Sequence, residues 1–289
     1  MADLCAEGLY VVTARVCERR PLLGTIEGNE EAATVRLSPL GGAVEAEIEA
    51  LGSLHRLVAV CQHVVMPDHV HFILQLLGRV PRSFSAAAVA DAWCHRCNEA
   101  AGLPSPLFDE GCAISPIASE GQYLRLARYI EDNPRRRIVE QAHAEWFTLR
   151  RGLEVGGHTF DAIGNTALLG RSMMAVRCHS RWSDEHLADY TRRCLIAARQ
   201  GWVLVGAFIS DAEAAIGIGA VEDGAAIIHL VRGGLANGYK PTINAFYTCA
   251  EGRLLHLSPF APDEPRRLSR TKCQTLNSLA EQLAATNPE

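Results

Sequence analysis

The run Met66-Pro67-Asp68-His69-Val70-His71-Phe72-Ile73-Leu74 constrains this chain more than any other stretch. It is an apolar, β-prone segment opened by a Met-Pro-Asp turn signal. Residues 56–65 and 70–76 therefore read as adjacent strands of a hairpin. Side chains alternate across a strand, so His69 and His71 share one face while Val70 and Phe72 point to the other, where a core can take them. Two imidazoles on one strand face can share a metal ion. The same spacing also suits two half-exposed histidines with no ligand at all.

A second informative run is Gln122-Tyr123-Leu124-Arg125-Leu126-Ala127-Arg128-Tyr129-Ile130-Glu131-Asp132-Asn133-Pro134. Leu124, Ala127 and Ile130 have helical spacing. Tyr129 and Asn133, four residues apart, project from one helix face and can reach one metal-bound phosphate. Pro134 disfavours helical geometry at Asn133, so the helix should end or kink there. Taken alone, Tyr129 also reads as an ordinary residue of an amphipathic helix. Tyr123 competes with it from a different face.

Together, the His-Val-His strand and the Tyr129-Ile130 to Asn133-Pro134 helix resemble the single-tyrosine transposases of the HUH endonuclease class. These enzymes nick and join single-stranded DNA. They include bacterial insertion-sequence enzymes and transposases associated with repetitive extragenic palindromes. The resemblance covers most of residues 5–150. Leu9-Tyr10-Val11-Val12-Thr13-Ala14-Arg15 is similar to the family's first core strand, and Phe108-Asp109-Glu110 to its pattern before the tyrosine helix.

The resemblance implies that His69 and His71 are metal ligands, that Asn133 is the third, polar ligand, and that Tyr129 is the nucleophile. Asp68 falls at a variable position and is taken as structural. The implied cofactor is Mg²⁺ or Mn²⁺, and the implied substrate a hairpin-forming single strand handled by a homodimer. Tyrosine attack leaves a 5′-phosphotyrosyl link and a free 3′-hydroxyl. A phenol of pKa ~10 is a weak nucleophile near neutrality, so the chemistry needs a cation at the phosphate. A set of two nitrogens and one neutral oxygen, with open positions, suits those ions.

Charge runs against a generic DNA binder. Residues 1–150 hold 14 arginines and no lysine against 19 acidic residues, a net charge of −5, and the remainder is balanced at 14 of each sign. Arg125, Arg128, Arg135, Arg136 and Arg137 nevertheless cluster around the tyrosine helix and could hold several phosphates with salt-sensitive affinity. A solvated helix end would look the same. Arginine outnumbers lysine 26 to 2, which reflects genomic base composition more simply than phosphate recognition. No segment is apolar enough to span a membrane, and the expected location is the cytoplasm. Among ten cysteines, Cys94 and Cys97 form the one CxxC, inside an expected helix at 83–101. Buried, reduced thiols are the expectation there.

The first half is thus expected to be an α+β, ferredoxin-like domain over residues 1–150, with an antiparallel sheet and further helices at 43–54 and 122–133. Gly152, Gly156 and Gly157 suggest a linker at 151–160. Beyond it, apolar runs at 173–177, 202–209, 225–231 and 253–257 alternate with helical patterns at 184–199 and 212–221. That alternation predicts an α/β Rossmann-like domain over 161–289, with a parallel, doubly wound sheet and an irregular C-terminal tail.

Val176-Arg177-Cys178-His179-Ser180-Arg181, Gly201 to Ser210, Glu213 and Gly252 to Pro259 resemble the Rossmann-like domain of the DprA/Smf family. Gly206 is followed by Ala207, so the family's glycine-rich loop is weak. Ser180, Arg181, Ser210 and Glu213 fall at carboxyl ends of strands, where a nucleotide or phosphate could bind. Two other readings stay open: a single-strand DNA-binding protein that has lost turnover, and a nucleotide-binding protein that the N-terminal half targets.

Overall fold

In a computed structural model, which describes residues 4–53, 56–109, 111–179 and 181–286, the chain divides into two compact units, Met1–Gln141 and Ala142–Glu289. The first runs through β1 (Gly8–Arg15), a hairpin of β2 (Gly24–Gly28) and β3 (Ala33–Leu37), and α1 (Pro39–Glu49). It continues with β4 (Val58–Met66), β5 (His69–Leu76), α2 (Ala86–Ala101), β6 (Ala113–Ile117), α3 (Glu120–Glu131) and α4 (Asn133–Ala142). The strands β4, β5, β1 and β6 form an antiparallel sheet in that order. With the β2–β3 hairpin set aside, the path is βαββαβ, the connectivity of the expected ferredoxin-like sandwich.

Strand alternation decides what each face of the sheet does. Val12 and Ala14 of β1 and Val70, Phe72 and Leu74 of β5 share a core with Val44 and Ile48 of α1 and Val89 and Trp93 of α2. Trp93 meets Phe72 edge-on at 5.2 Å and lies tilted against Phe108 at 5.1 Å. Burying each such ring contributes about 2–3 kcal/mol. The side chains of opposite parity, including Thr13, His69 and His71, belong to the other face, and α3 packs over β4, β5 and β6.

Serines set the helix starts. Ser38, Ser85 and Ser119 accept the N–H groups of Gly41, Ala88 and Gln122, which begins α1, α2 and α3. The first helix therefore starts at Pro39 rather than 43, because proline is favoured in the first turn. The break expected near Asn133 is present: α3 stops at Glu131, Asp132 caps it, and α4 begins at Asn133. Pro134 has no N–H to offer the carbonyl four residues back.

The second unit contains α5 (Ala144–Phe147), β7 (Arg150–Val155), β8 (His158–Gly164), β9 (Met173–Ala175), α6 (Asp184–Arg199), β10 (Val203–Gly206) and α7 (Asp211–Glu222). It ends with β11 (Ile227–Leu230), α8 (Ile243–Ala250), β12 (Leu254–Ser258) and α9 (Arg270–Ala285). The sheet order is β7-β8-β12-β11-β10-β9, with β9 to β12 parallel and β7 and β8 antiparallel. Helices cover both faces: α9 supplies Leu276, Leu279 and Leu283 to one core, and α6 and α7 supply Cys194, Ala198, Ile216 and Ala220 to another.

Three expectations are corrected here. The sheet is mixed rather than wholly parallel. The tail expected to be irregular is the helix α9, whose leucines are buried. The stretch expected as a linker is the β7–β8 hairpin. Gly156 and Gly157 lie at φ +57° and +78°, as a two-residue hairpin turn with both central residues left-handed requires. Gly152, at φ +66°, sits where the register of β7 shifts. These glycines serve backbone geometry that L side chains rarely adopt, and the second unit begins before residue 150.

Paired in register on β11 and β12, His229 and His256 lie edge to face at 5.1 Å. Burial pushes His229 down to about 4, and pushes His256 well below its ordinary value. Both are neutral in the fold, whereas the unfolded chain protonates them near ~6.5. Their contribution to stability is therefore fully present above that pH and is lost as pH falls toward 4. We expect the unfolding free energy from urea titrations to fall between about pH 6.5 and pH 5, by up to about 1.4 kcal/mol per pH unit per histidine, and less so in His229→Gln.

Candidate active site

The histidine face of β5 is organised by its neighbours. His69 Nδ1 lies 2.6 Å from Asp68 Oδ1, and His71 Nδ1 lies 2.8 Å from Thr13 Oγ1. Thr13 is the residue of β1 paired with His71 across the sheet. The hydrogen bond to His69 holds the Asp68 carboxyl below its usual range despite burial, with the Arg19 guanidinium 3.5 Å away adding to the effect. An ionised carboxylate can only accept, so His69 carries its proton on Nδ1 and leaves Nε2 free. With the same tautomer at His71, Thr13 accepts and a second Nε2 is free. Burial, reinforced by His69, pushes His71 down to about 3 and keeps it neutral, the form that binds metals. The two rings stand 4.8 Å apart, edge to face.

Tyr129, on the last turn of α3, has its ring 5.6 Å from that of His71. The Arg136 guanidinium, from α4, lies over the Tyr129 ring at 5.0 Å. Asn133 is buried, and its Nδ2 has no hydrogen-bond partner. Amide oxygen and nitrogen exchange places on a flip, so the residue can offer Oδ1 from that unmatched position. Among the described residues, no three His, Cys, Asp or Glu side chains converge as a metal site. The histidine pair presents two imidazoles on one strand face, and Asn133 is a buried amide on the helix that follows Tyr129. Tyr123 lies about one and a half turns earlier on α3.

The five arginines separate on folding. Arg125, Arg128 and Arg137 are exposed and suit phosphate contacts. Arg135 bonds Asp132 at 2.8 Å and the Glu30 carbonyl at 2.8 Å. Arg136, at 7% exposure, is packed on Tyr129 rather than presented as a solvated phosphate clamp. Sequence reasoning missed the ring contacts of Thr13 and Arg136 and undervalued Asp68. Asp68→Asn keeps the size and removes the acceptor charge behind His69. We expect Mn²⁺ affinity, measured by calorimetry, to fall ~10–100-fold with the fold intact. An unchanged Kd would show that Asp68 has no part in orienting His69.

Of the C-terminal ligand candidates, Ser210 and Glu213 line one cavity. A cavity of about 610 Å³ lies at the carboxyl ends of β9 and β10, lined by residues including Arg177, His179, Trp182, Ser210 and Glu213. Arg181 is exposed and is not among its lining residues, and Ser180 lies outside the described residues. Glu213 is buried and fully engaged. Oε1 accepts Cys178 N–H at 2.9 Å, and Oε2 accepts those of Ile209 at 2.9 Å and Ser210 at 3.2 Å. With Ser210 it forms a capping box, and both residues also stand on the wall of the cavity. Glu213→Gln leaves a buried N–H without its acceptor and should cost about 2–3 kcal/mol in urea denaturation.

No protein-family model matches the chain, and no curated protein matches it significantly. Among solved structures, it is similar to a REP-associated tyrosine transposase bound to a REP hairpin, at 18% identity and a TM-score of 0.37, over 46% of this chain and 70% of that one. A candidate transposase from Deinococcus radiodurans R1 is similar at 18% identity and a TM-score of 0.29, over 44% and 90% respectively. DprA, the DNA processing protein A of Streptococcus pneumoniae, is similar at 16% identity and a TM-score of 0.36, over 65% and 62%. With scores this low, nothing about activity follows from them.

Proposed function

We propose that this chain is a metal-dependent nickase and strand-transferase of single-stranded DNA, working through Tyr129 in the manner of a transposase. The observation that carries the reading is the placement of Tyr129 5.6 Å from His71, beside a second histidine, with both Nδ1 atoms already engaged by Asp68 and Thr13. Imidazoles held in one orientation by a partner on the other ring nitrogen are what a metal ligand pair requires.

His69, His71 and Asn133 would hold a Mg²⁺ or Mn²⁺ ion. Such an ion, when bound, polarises the scissile phosphate and offsets the charge that builds on its oxygens. Tyr129 Oη attacks phosphorus and gives up its proton to solvent. The bond to the 3′-oxygen breaks, and that oxygen leaves as a free hydroxyl, while the 5′-phosphate stays on Tyr129. Attack by the 3′-hydroxyl of another strand reverses the step with no net loss of phosphoester bonds. Arg136 holds the Tyr129 ring in place, and Arg125, Arg128 and Arg137 supply exposed charge for flanking phosphates. The substrate we propose is a hairpin-forming single strand, handled by a homodimer.

The test is to incubate the protein with Mn²⁺ and a labelled library of hairpin-forming single strands, then to denature and look for a covalent adduct. An adduct whose label maps to Tyr129 supports the reading. Binding without any adduct, across several libraries, would replace it with a DNA-binding protein that does not turn over.

A further inference from the structure

The CxxC of α2 draws attention to Cys94 and Cys97, yet the partner of Cys94 is elsewhere. Cys94 Sγ lies 3.0 Å from Cys112 Sγ, in the segment leading into β6. Cys97 is buried in the core beneath Trp93's helix face, and burial pushes its thiol up to about 12. We propose that Cys94 and Cys112 form a thiol–disulfide site, which exchanges with small disulfides to close a reversible Cys94–Cys112 crosslink.

Three features support the site. A covalent S–S bond is about 2.05 Å long, so closure needs a shift of only about 1 Å, within the reach of side-chain rotation. The two residues are only partly buried at the margin of the core, unlike Cys97. Their reactivities also differ. The hydrogen bond between them raises the Cys94 thiol and lowers that of Cys112, so Cys112 is the better nucleophile.

The exchange balances. The Cys112 thiolate attacks one sulfur of a small disulfide and releases one thiolate, leaving a mixed disulfide on Cys112. Cys94 then gives up its proton to the medium and attacks the Cys112 sulfur, releasing the second thiolate. Two protein thiols are oxidised by two electrons, and one disulfide is reduced to two thiols.

Position gives the crosslink a mechanical meaning. Cys112 directly precedes Ala113, the residue of β6 paired with Thr13, whose hydroxyl meets His71. The bond would tie that end of the edge strand to α2. The chemistry does not depend on the proposed nuclease activity and can be tested without DNA.

The full-length protein would be treated with oxidised glutathione, quenched with acid, alkylated and mapped by mass spectrometry. The expected product is a Cys94–Cys112 peptide pair with a mass loss of two hydrogens, reversed by dithiothreitol. Cys97→Ser should retain it, while Cys94→Ser should stop at a stable glutathione adduct on Cys112. A Cys94–Cys97 link, or full alkylation of both Cys94 and Cys112 after hours of treatment, would overturn the proposal. Bound zinc protecting the two thiols, detected by metal analysis of the purified protein, would also overturn it.

Discussion

Tyr129→Phe should abolish the covalent DNA adduct, with formation at least ~10³-fold below wild type, while single-strand affinity stays within about twofold. The substitution removes one oxygen and keeps the ring, so the contacts with His71 and Arg136 persist. The other phenol of α3, Tyr123, lies six residues earlier on a different face of the helix. Stability should move by no more than about 0.5 kcal/mol, because Tyr129 is only partly buried. Denaturing gels of protein with end-labelled DNA read the adduct, and fluorescence anisotropy reads the affinity. Tyr123→Phe is the paired control and should form the adduct normally. The reverse pattern, with Tyr123→Phe inactive and Tyr129→Phe active, would remove Tyr129 from the mechanism.

His71→Ala should lose Mn²⁺ binding and adduct formation together, each to background. It also strands the Thr13 hydroxyl in a partly buried position, at a cost of about 1–2 kcal/mol. That cost is well short of unfolding a two-core chain, and a cooperative melt shifted by a few degrees would show that the fold remains. Adduct formation retained at wild-type rate, in buffer stripped of metal by a chelator, would instead separate the histidines from the chemistry. His69→Ala should behave alike in activity but leave Thr13 paired.

Several parts of this architecture are readable along the chain, and the reasons others are not can be named. β5 is legible because its alternation is strict, with Val70, Phe72 and Leu74 inward and His69 and His71 outward. β6 is illegible because it is a five-residue edge strand containing Pro116, which a strand pattern ordinarily excludes. Tyr129 stands out only through its motif, whereas Thr13 has no motif and acquires its role from a partner 58 residues away. Five arginines in one stretch look equivalent on paper. Folding makes one a stacking partner, ties another to Asp132 and leaves three in solvent.

Some signals along the chain carry more than one meaning. Ser210-Asp211-Ala212-Glu213 carries the capping-box spacing, which places Glu213 at a helix start as well as on the cavity wall. Gly156-Gly157 carries the hairpin-turn signature as clearly as it suggests a flexible joint. The neighbouring alternation of β8, with Phe160 and Ala162 buried, settles which applies.

The two histidines are oriented over different distances along the chain. The partner of His69 is its immediate neighbour in the β4–β5 turn, so that contact forms as soon as the hairpin does. The partner of His71 belongs to β1 and exists only while β1 lies alongside β5. Fraying of β1 would therefore release one ring and spare the other, leaving a site with one aligned nitrogen and one rotating freely. Metal capacity and catalytic competence would then decline at different stages of unfolding, with the second lost while a weaker form of the first survives. Hydrogen exchange along β1, followed beside Mn²⁺ binding in mild denaturant, would reveal that sequence of losses.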